Sequence, residues 1–420
     1  MTAIVLCASI AFLDGLDTQS IAVAAPIIVD NLRLTRAALG PIFSAALLGA
    51  MIGALTFGPL GDAFGRKRVL TFATALFGIC TVATAYVQSY GSLLLVRSVA
   101  GLGLGGATPC FIALASEYAP LRSRAMVTSL IWAAFPLGGT AGGFLNAAIL
   151  VHFGWQSIFL IGGLLPIAVA LVLLLWLPES LRYMVATGAD PARIDAVVAR
   201  IRPGIPASRR DVANQERTDR VPMAHLFTEG RAATTLLLWI PFFTGFGSLG
   251  IAVLWTPVLL RDRGFPLSQA AVVLGIHGVG ALIGMGSVGR LIEKFGALAV
   301  LLPSFLLGAL SLGALGYASV SLPMMAAALF LVGLFVGAGA SGSIALAALT
   351  YPTEIRSSGI GWAMGAGRFG QVLAPLFAAT VVAAGWASGQ MFLVFAIAPV
   401  LGALAIVALH GRAALAVAVR

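Results

Sequence analysis

The 420-residue chain is 60% hydrophobic and only 10% charged, against about 45–50% and about 25% in soluble domains. A soluble chain this apolar could not cover its own surface, so the excess must face lipid, and a soluble enzyme is excluded. The net charge of +10 would suggest nucleic acid in a soluble chain, but the charges are placed otherwise, as the loops show. Glycine, at 50 residues, exceeds the usual share of about 7% and suits closely packed membrane helices. Cys7, Cys80 and Cys110 all lie in apolar runs without metal or disulfide spacing and read as small packing residues. The N-terminus lacks a basic start and a small-residue cleavage site. Its first apolar run holds two aspartates and reads as a span.

A membrane-crossing helix needs about 20 apolar residues. In chain order such runs fall near 3–27, 38–60, 69–87, 91–115, 125–150 and 155–177, then near 232–257, 268–292, 297–317, 323–348, 358–384 and 389–409. These are spans 1 to 12. Between spans 6 and 7, residues 178–231 hold nine arginines, several carboxylates and Pro191, Pro203 and Pro206. This polar linker, with a short helix expected around Arg193–Ile201, separates residues 1–177 from residues 232–420, six spans on either side. The fold class is therefore an all-α membrane protein of twelve helices in two six-helix bundles.

Orientation follows from the lysines and arginines. The loops after even spans, together with the C-terminal tail, carry nineteen; the loops after odd spans carry four, namely Arg33, Arg36, Arg261 and Arg263. Without the linker the ratio is still ten to four. Both termini and the linker are expected to be cytoplasmic, and the positive charge is a topology signal, with no nucleic-acid partner. Arginine outnumbers lysine 23 to 2, in keeping with a bacterial chain in the inner (cytoplasmic) membrane.

The halves repeat one another. Gly58-Pro-Leu-Gly-Asp62-Ala-Phe-Gly65 after span 2 is echoed by Gly289-Arg-Leu-Ile-Glu293-Lys-Phe-Gly296 after span 8. Glu117-Tyr-Ala-Pro-Leu-Arg122 after span 4 is echoed by Tyr351-Pro-Thr-Glu354-Ile-Arg356 after span 10. Matched motifs in corresponding loops are the mark of a parallel six-plus-six duplication. With these residues the chain resembles the major facilitator superfamily over essentially its whole length. Gly58, Asp62, Gly65 and Arg66 match its G-x-x-x-D-x-x-G-[RK] loop; Arg97-Ser-Val-Ala-Gly101-Leu-Gly103 resembles its span-4 pattern, and Pro178-Glu179-Ser180 its P-E-S. Asp14-Gly15-Leu16-Asp17 resembles the D-G-x-D hallmark of the aromatic acid/proton symporters, and His277, Arg356 and Arg368 sit where that family has functional residues. Members of that family usually carry a cytoplasmic segment ahead of span 1, whereas here span 1 begins almost at Met1.

Charges within the spans carry the functional reading, because each costs roughly 2.5–3.5 kcal/mol at mid-bilayer. Asp14 and Asp17 stand one helical turn apart on span 1. Two carboxylates so close in a poorly hydrated site cannot both ionise cheaply, so one is expected to hold a proton. The bland alternative is pairing with arginines, and the sequence does not separate the two aspartates. Arg97 in span 4 needs a carboxylate or an anionic ligand. Arg368 in span 11, with Trp362 and Gln371 near it, is expected to grip the substrate carboxylate bidentately while aromatic faces receive a ring. His277 in span 8, at similar depth, is a further binding candidate. Phe242 and Phe246 in span 7 form a candidate aromatic stripe. At the cytoplasmic ends Asp62 and Arg66 are expected to clamp the opposite half, with Glu117, Arg122, Glu354 and Arg356 forming ion pairs of the inner gate.

An anion entering alone would leave two aspartates and two arginines one charge negative, and one proton restores the balance. The expectation is secondary active transport without enzymatic chemistry or cofactor: proton-coupled uptake of a small organic acid by alternating access in a monomer within the lipid bilayer. The resemblance implies an aromatic acid; a dicarboxylate such as muconate, or less favoured proton-coupled drug antiport, is the alternative. Gly138-Gly-Thr-Ala-Gly142-Gly143 in span 5 is glycine-rich as in antiporters but lacks their internal proline.

Overall fold

The computed structural model describes residues 2–119, 124–190, 223–317, 321–352 and 355–418. The described residues contain twelve helices long and apolar enough to cross a membrane. Spans 1 to 6 are Thr2–Asn31, Leu39–Phe64, Arg66–Thr84, Tyr90–Tyr118, Arg124–Phe153 and Trp155–Trp176. Spans 7 to 11 are Ala232–Asp262, Leu267–Phe295, Ala297–Tyr317, Leu322–Thr350 and Arg356–Ala383. Span 12 is broken into Ser388–Phe395 and Ile397–Ala418. Several helices run a turn beyond their apolar stretches, because polar residues continue a helix wherever water or a neighbouring chain can hold them. In the linker, Leu181–Ala186 forms a short helix capped by Ser180, and Met223–Leu226 a 3-10 turn. The helix expected at Arg193–Ile201 lies outside the described residues.

Glycines set how the spans pack, and they do so twice over. In the first half, Gly49 and Gly53 of span 2 face the span 4 backbone at Ser98 and Leu102, while Gly101 and Gly105 of span 4 face Ala46 and Ala50. The same exchange recurs between spans 8 and 10, where Gly280 and Gly284 face Phe330 and Leu334, and Gly333 faces His277. Gly78 meets Gly163 between spans 3 and 6, as Gly316 meets Gly389 between spans 9 and 12. Gly15 and Gly138 join spans 1 and 5; Gly367 and Gly370 join spans 11 and 7. The sequence repeat is thus a repeat of backbone contacts, in which close approach replaces the hydrophobic drive that lipid removes.

Among the described residues the halves share an apolar cluster at one face. One apolar cluster, including Ile28 and Phe43 from the first half and Trp255, Leu259 and Ala379 from the second, crosses between them at the face away from the linker. On the linker face each half keeps its own cluster, Phe57, Leu114 and Leu173 in one and Leu226, Phe242 and Tyr351 in the other. Gly143 of span 5 packs on Gly275 of span 8, and Gly40 of span 2 on Pro375 and Ala379 of span 11. Gln19 donates to the Leu274 carbonyl at 3.4 Å, and Ser44 to that of Val372 at 2.8 Å. The face carrying the loop between spans 1 and 2 is closed by these contacts, and among the described residues no apolar cluster joins the halves at the linker face.

A Cβ at Gly101 would land on the Ala46 carbonyl, whereas one at Gly91 would meet nothing within 4 Å. Gly101→Val should therefore lower the unfolding temperature of the detergent-purified protein, with overpacking costing about 1–3 kcal/mol, and Gly91→Ala should leave it within error. An equal response of the two variants would contradict backbone contact as the basis of the first half's packing.

Candidate functional site

Span 1 brings its two carboxylates to different environments. Asp17 is 4% exposed and Arg97 1%. They form a two-pronged ion pair, Nη2 to Oδ2 at 2.6 Å and Nη1 to Oδ1 at 3.2 Å. Thr81 of span 3 donates to the same Oδ1 at 3.3 Å. Spans 1, 3 and 4 are thereby tied inside the first half, and the glycines of span 4 let it lie close enough for the pair to form. Arg97 does not reach a substrate position, because both prongs of its guanidinium are taken by Asp17. Asp17 thus has its counter-charge in Arg97, and it remains the like charge close to Asp14.

Asp14, one turn away and partly buried, forms no contact ion pair. The cation whose field reaches its carboxylate is Arg368 of the opposite half, and Asp17 is the nearby like charge. Arg368 is partly buried, and its Nη1 reaches Gln371 Oε1 only at 3.5 Å. Phe246 lies against Gly367, beside Arg368, where any Cβ would come within 2.9 Å of the ring. Phe246, Arg368 and Gln371 are therefore neighbours in the second half, with Asp14 of the first half within electrostatic reach of the guanidinium.

Other candidates fall elsewhere. Phe242 is fully buried in the second half's own cluster and stacks on Phe246 at 6.3 Å and 18°; it supports that ring and does not line the site. Trp362 is six residues from Arg368, which at 100° per residue turns it roughly 120° around the helix. It stands exposed on the stripe of Phe369, Leu373 and Phe377, so the expected ring of Trp362 around the guanidinium does not form. His277 is 4% exposed, with Nε2 lacking a hydrogen-bond partner, and its own carbonyl lies against Gly333 of span 10. In this conformation it is sealed within the second half.

Span 11 marks where the closed seam ends. On the face that carries Arg368, Val372, Pro375 and Ala379 meet span 2. Toward the linker, Gly361 and Gly365 have nothing within 4 Å. The guanidinium stands at the boundary between a zipped and an open stretch.

At the linker face Arg66 binds Asp62, Nη2 to Oδ1 at 2.9 Å, and also Glu117. Ser180 donates to Glu117 at 2.7 Å, and Glu179 accepts from the Lys67 backbone at 3.0 Å. In place of the expected clamp on the opposite half, the described residues form a network within the first half and the start of the linker. Arg356 donates to the Tyr351 carbonyl at 3.3 Å. Arg122 and Glu354 lie outside the described residues.

The sequence reading passed over Thr81, Ser44 and Gln19, as well as ion pairs between the loop after span 1 and the end of span 7. For the last, a signal existed in Asp30 and Asp262, two carboxylates in the same loops as the minority arginines. Among the described residues no group of three or more His, Cys, Asp or Glu is arranged to hold a metal ion.

The chain matches the family described as Major Facilitator Superfamily over residues 7–319 and 267–415. It is 38% identical to the 4-hydroxybenzoate transporter PcaK of Pseudomonas aeruginosa, over 91% of this chain and 86% of that one. It is 34% identical to the gallate transporter of Pseudomonas putida, over 98% and 92%. Its fold superimposes on the xylose transporter XylE of E. coli with a TM-score of 0.76 at 20% identity, over 96% of this chain and 95% of that one.

Replacing Asp17 by Asn leaves Arg97 buried without its counter-charge, a loss of about 3–5 kcal/mol for such pairs. Asp17→Asn should depress the unfolding temperature in detergent strongly, and Asp14→Asn little. A larger depression from Asp14→Asn would contradict the division of roles between the aspartates.

Proposed function

The chain belongs to the Major Facilitator Superfamily, and on that premise we propose that this secondary transporter takes up a small aromatic carboxylate together with a proton, by alternating access of its two halves. The observation that carries the reading is the inequality of the two buried charge pairs. Asp17 and Arg97 are in contact within one half, whereas Asp14 and Arg368 belong to opposite halves, within electrostatic reach of each other, and form no ion pair among the described residues. The first pair is closed to any ligand. The second has a cation to give to a carboxylate and an anion to give to a proton.

The substrate carboxylate takes the fork of Arg368, whose planar donors match two carboxylate oxygens. Phe246 offers a ring face beside it, and the Gln371 amide lies within reach of the same guanidinium. Once the substrate has the arginine, Asp14 stands as an uncompensated anion in a medium of low dielectric, where an isolated charge is expensive. One proton on Asp14 removes that cost. Anion and proton thus enter together, and the proton gradient drives the cycle without a cofactor. The aromatic class rests on relatives named for 4-hydroxybenzoate and gallate and on the ring at Phe246.

With the linker face assigned to the cytoplasm by the arginine distribution, both termini are cytoplasmic and the chain stands here open to the inside. The inner gate is the Asp62–Arg66–Glu117 network, whose most exposed member, Asp62, is placed to take a partner when that face closes. Both halves that form the site belong to one chain, so a monomer suffices.

Arg368→Lys should weaken binding of an aromatic acid despite keeping the charge, because lysine lacks the planar fork. Arg368→Ala should weaken it further, by about 2–5 kcal/mol, or roughly 30-fold or more at 1.4 kcal/mol per decade. The uncharged amide of the same acid should bind the wild type poorly and lose little in Arg368→Ala. Binding titrations of acid and amide against folded protein decide this; equal losses for both ligands would assign Arg368 to helix packing.

A further inference from the structure

At the closed face the two halves exchange charges. The first half presents Asp30 at the end of span 1 and Arg36 at the start of the 3-10 turn Arg36–Ala38; the second presents Arg261 and Asp262 at the end of span 7. Each cation is bound to the anion of the other half: Arg261 to Asp30, and Arg36 Nη1 to Asp262 Oδ1 at 2.5 Å. Further bonds fix both ends. Arg261 Nη1 also donates to the Pro26 carbonyl at 2.7 Å, and Asp262 accepts from Ser388 of span 12. Directly within, Phe43 meets the Trp255 ring edge to face, 6.0 Å between centroids.

These contacts account for two of the four arginines that the topology rule leaves on the minority side. Arg263 has a separate duty, donating to the carbonyls of Leu315 and Gly316 at the end of span 9. Within each half the latch residues sum to zero charge, so they neither attract nor repel the halves at a distance. They act only in contact, when the face is shut.

We infer that Asp30, Arg36, Arg261 and Asp262 form a charge-exchanged latch that holds the outer mouth closed and sets the balance between the two states of the transporter. The word outer rests on the orientation given under the proposed function; the latch itself rests on the pairing of residues. The side chains are 19–60% exposed, so each pair is individually weak and screened by salt. A two-state equilibrium needs no more than a modest differential contact to shift.

The test uses the full chain with Cys7, Cys80 and Cys110 replaced and a single cysteine at Ala379, which lies against Gly40 across the seam. A membrane-impermeant maleimide is applied from the outside. Labelling should be slow with the latch intact and at least about threefold faster in R36Q/R261Q. The exchanged variant D30R/R261D should return toward the slow rate. Raising salt from about 50 to about 500 mM, which shortens the screening length below about 10 Å, should speed labelling of the intact latch and leave R36Q/R261Q unchanged. Labelling of R36Q/R261Q at the reference rate, or a salt response equal in both proteins, would overturn the latch. The salt arm needs no variant to fold, and the readout does not depend on what is transported. Fast labelling of the intact latch with restored slowness from the inside would instead reverse the assigned orientation and leave the latch standing.

Discussion

An ionised group in the low-dielectric interior of a membrane protein needs a counter-charge at all times, and the rest of this structure is arranged around that requirement. Among the described residues, four ionisable side chains stand out deep in the spans, Asp14, Asp17, Arg97 and Arg368. Asp17 and Arg97 meet the requirement permanently, inside one half and with Thr81 to hold the carboxylate. Asp14 and Arg368 meet it only across the boundary that must open and close. A static pair gives the first half a rigid centre. Under the proposed function, the divided pair would give a charge balance that changes with what is carried, and the same requirement would make anion and proton travel together.

The helix packing serves this division. Glycines hold spans 2 to 4, 3 to 6 and 1 to 5 in the first half, and their counterparts in the second, at backbone contact. Between the halves, spans 5 and 8 also approach at backbone distance, at Gly143–Gly275 and Gly278–Thr140, and spans 2 and 11 meet through small residues. An apolar cluster around Phe43 and Trp255, hydrogen bonds from Gln19 and Ser44 and exposed ion pairs add to these. Such contacts are numerous enough to close a face and individually weak enough to release it. Arg368 stands where span 11 passes from its contacts with span 2 to residues without such neighbours, so in the proposed cycle a ligand held there would touch an element at the seam.

Much of this was legible in the sequence, for physical reasons. Apolar runs must match the bilayer, so all twelve spans could be read, and the loop echoes after spans 2 and 8 revealed the duplication. The isolated charges Asp14, Asp17, Arg97 and Arg368 could be found because the membrane penalises them. The span-1 aspartates are natural partners for Arg97, but which of the two takes it is not legible, since residues at i and i+3 share a face only broadly. The difference of about 60° between Asp14 and Asp17 is what sends one into the bundle and the other to the interface. Aromatic residues misled for the opposite reason: apolar rings are at home on any face of a membrane helix, so neither the burial of Phe242 nor the outward turn of Trp362 left a mark in the sequence. The charges at the mouth were read as residue of a topology count, because opposite signs in different loops show their pairing only in three dimensions.

The central claim is that Asp14 takes up the proton that accompanies the anion on Arg368. Isothermal titration of an aromatic acid into the purified protein, repeated near neutral pH in buffers of different ionisation enthalpy, reads the protons exchanged on binding. The account predicts close to one proton taken up per acid bound by the wild type and close to none by Asp14→Asn, with binding retained. Proton uptake that persists undiminished in Asp14→Asn would contradict it.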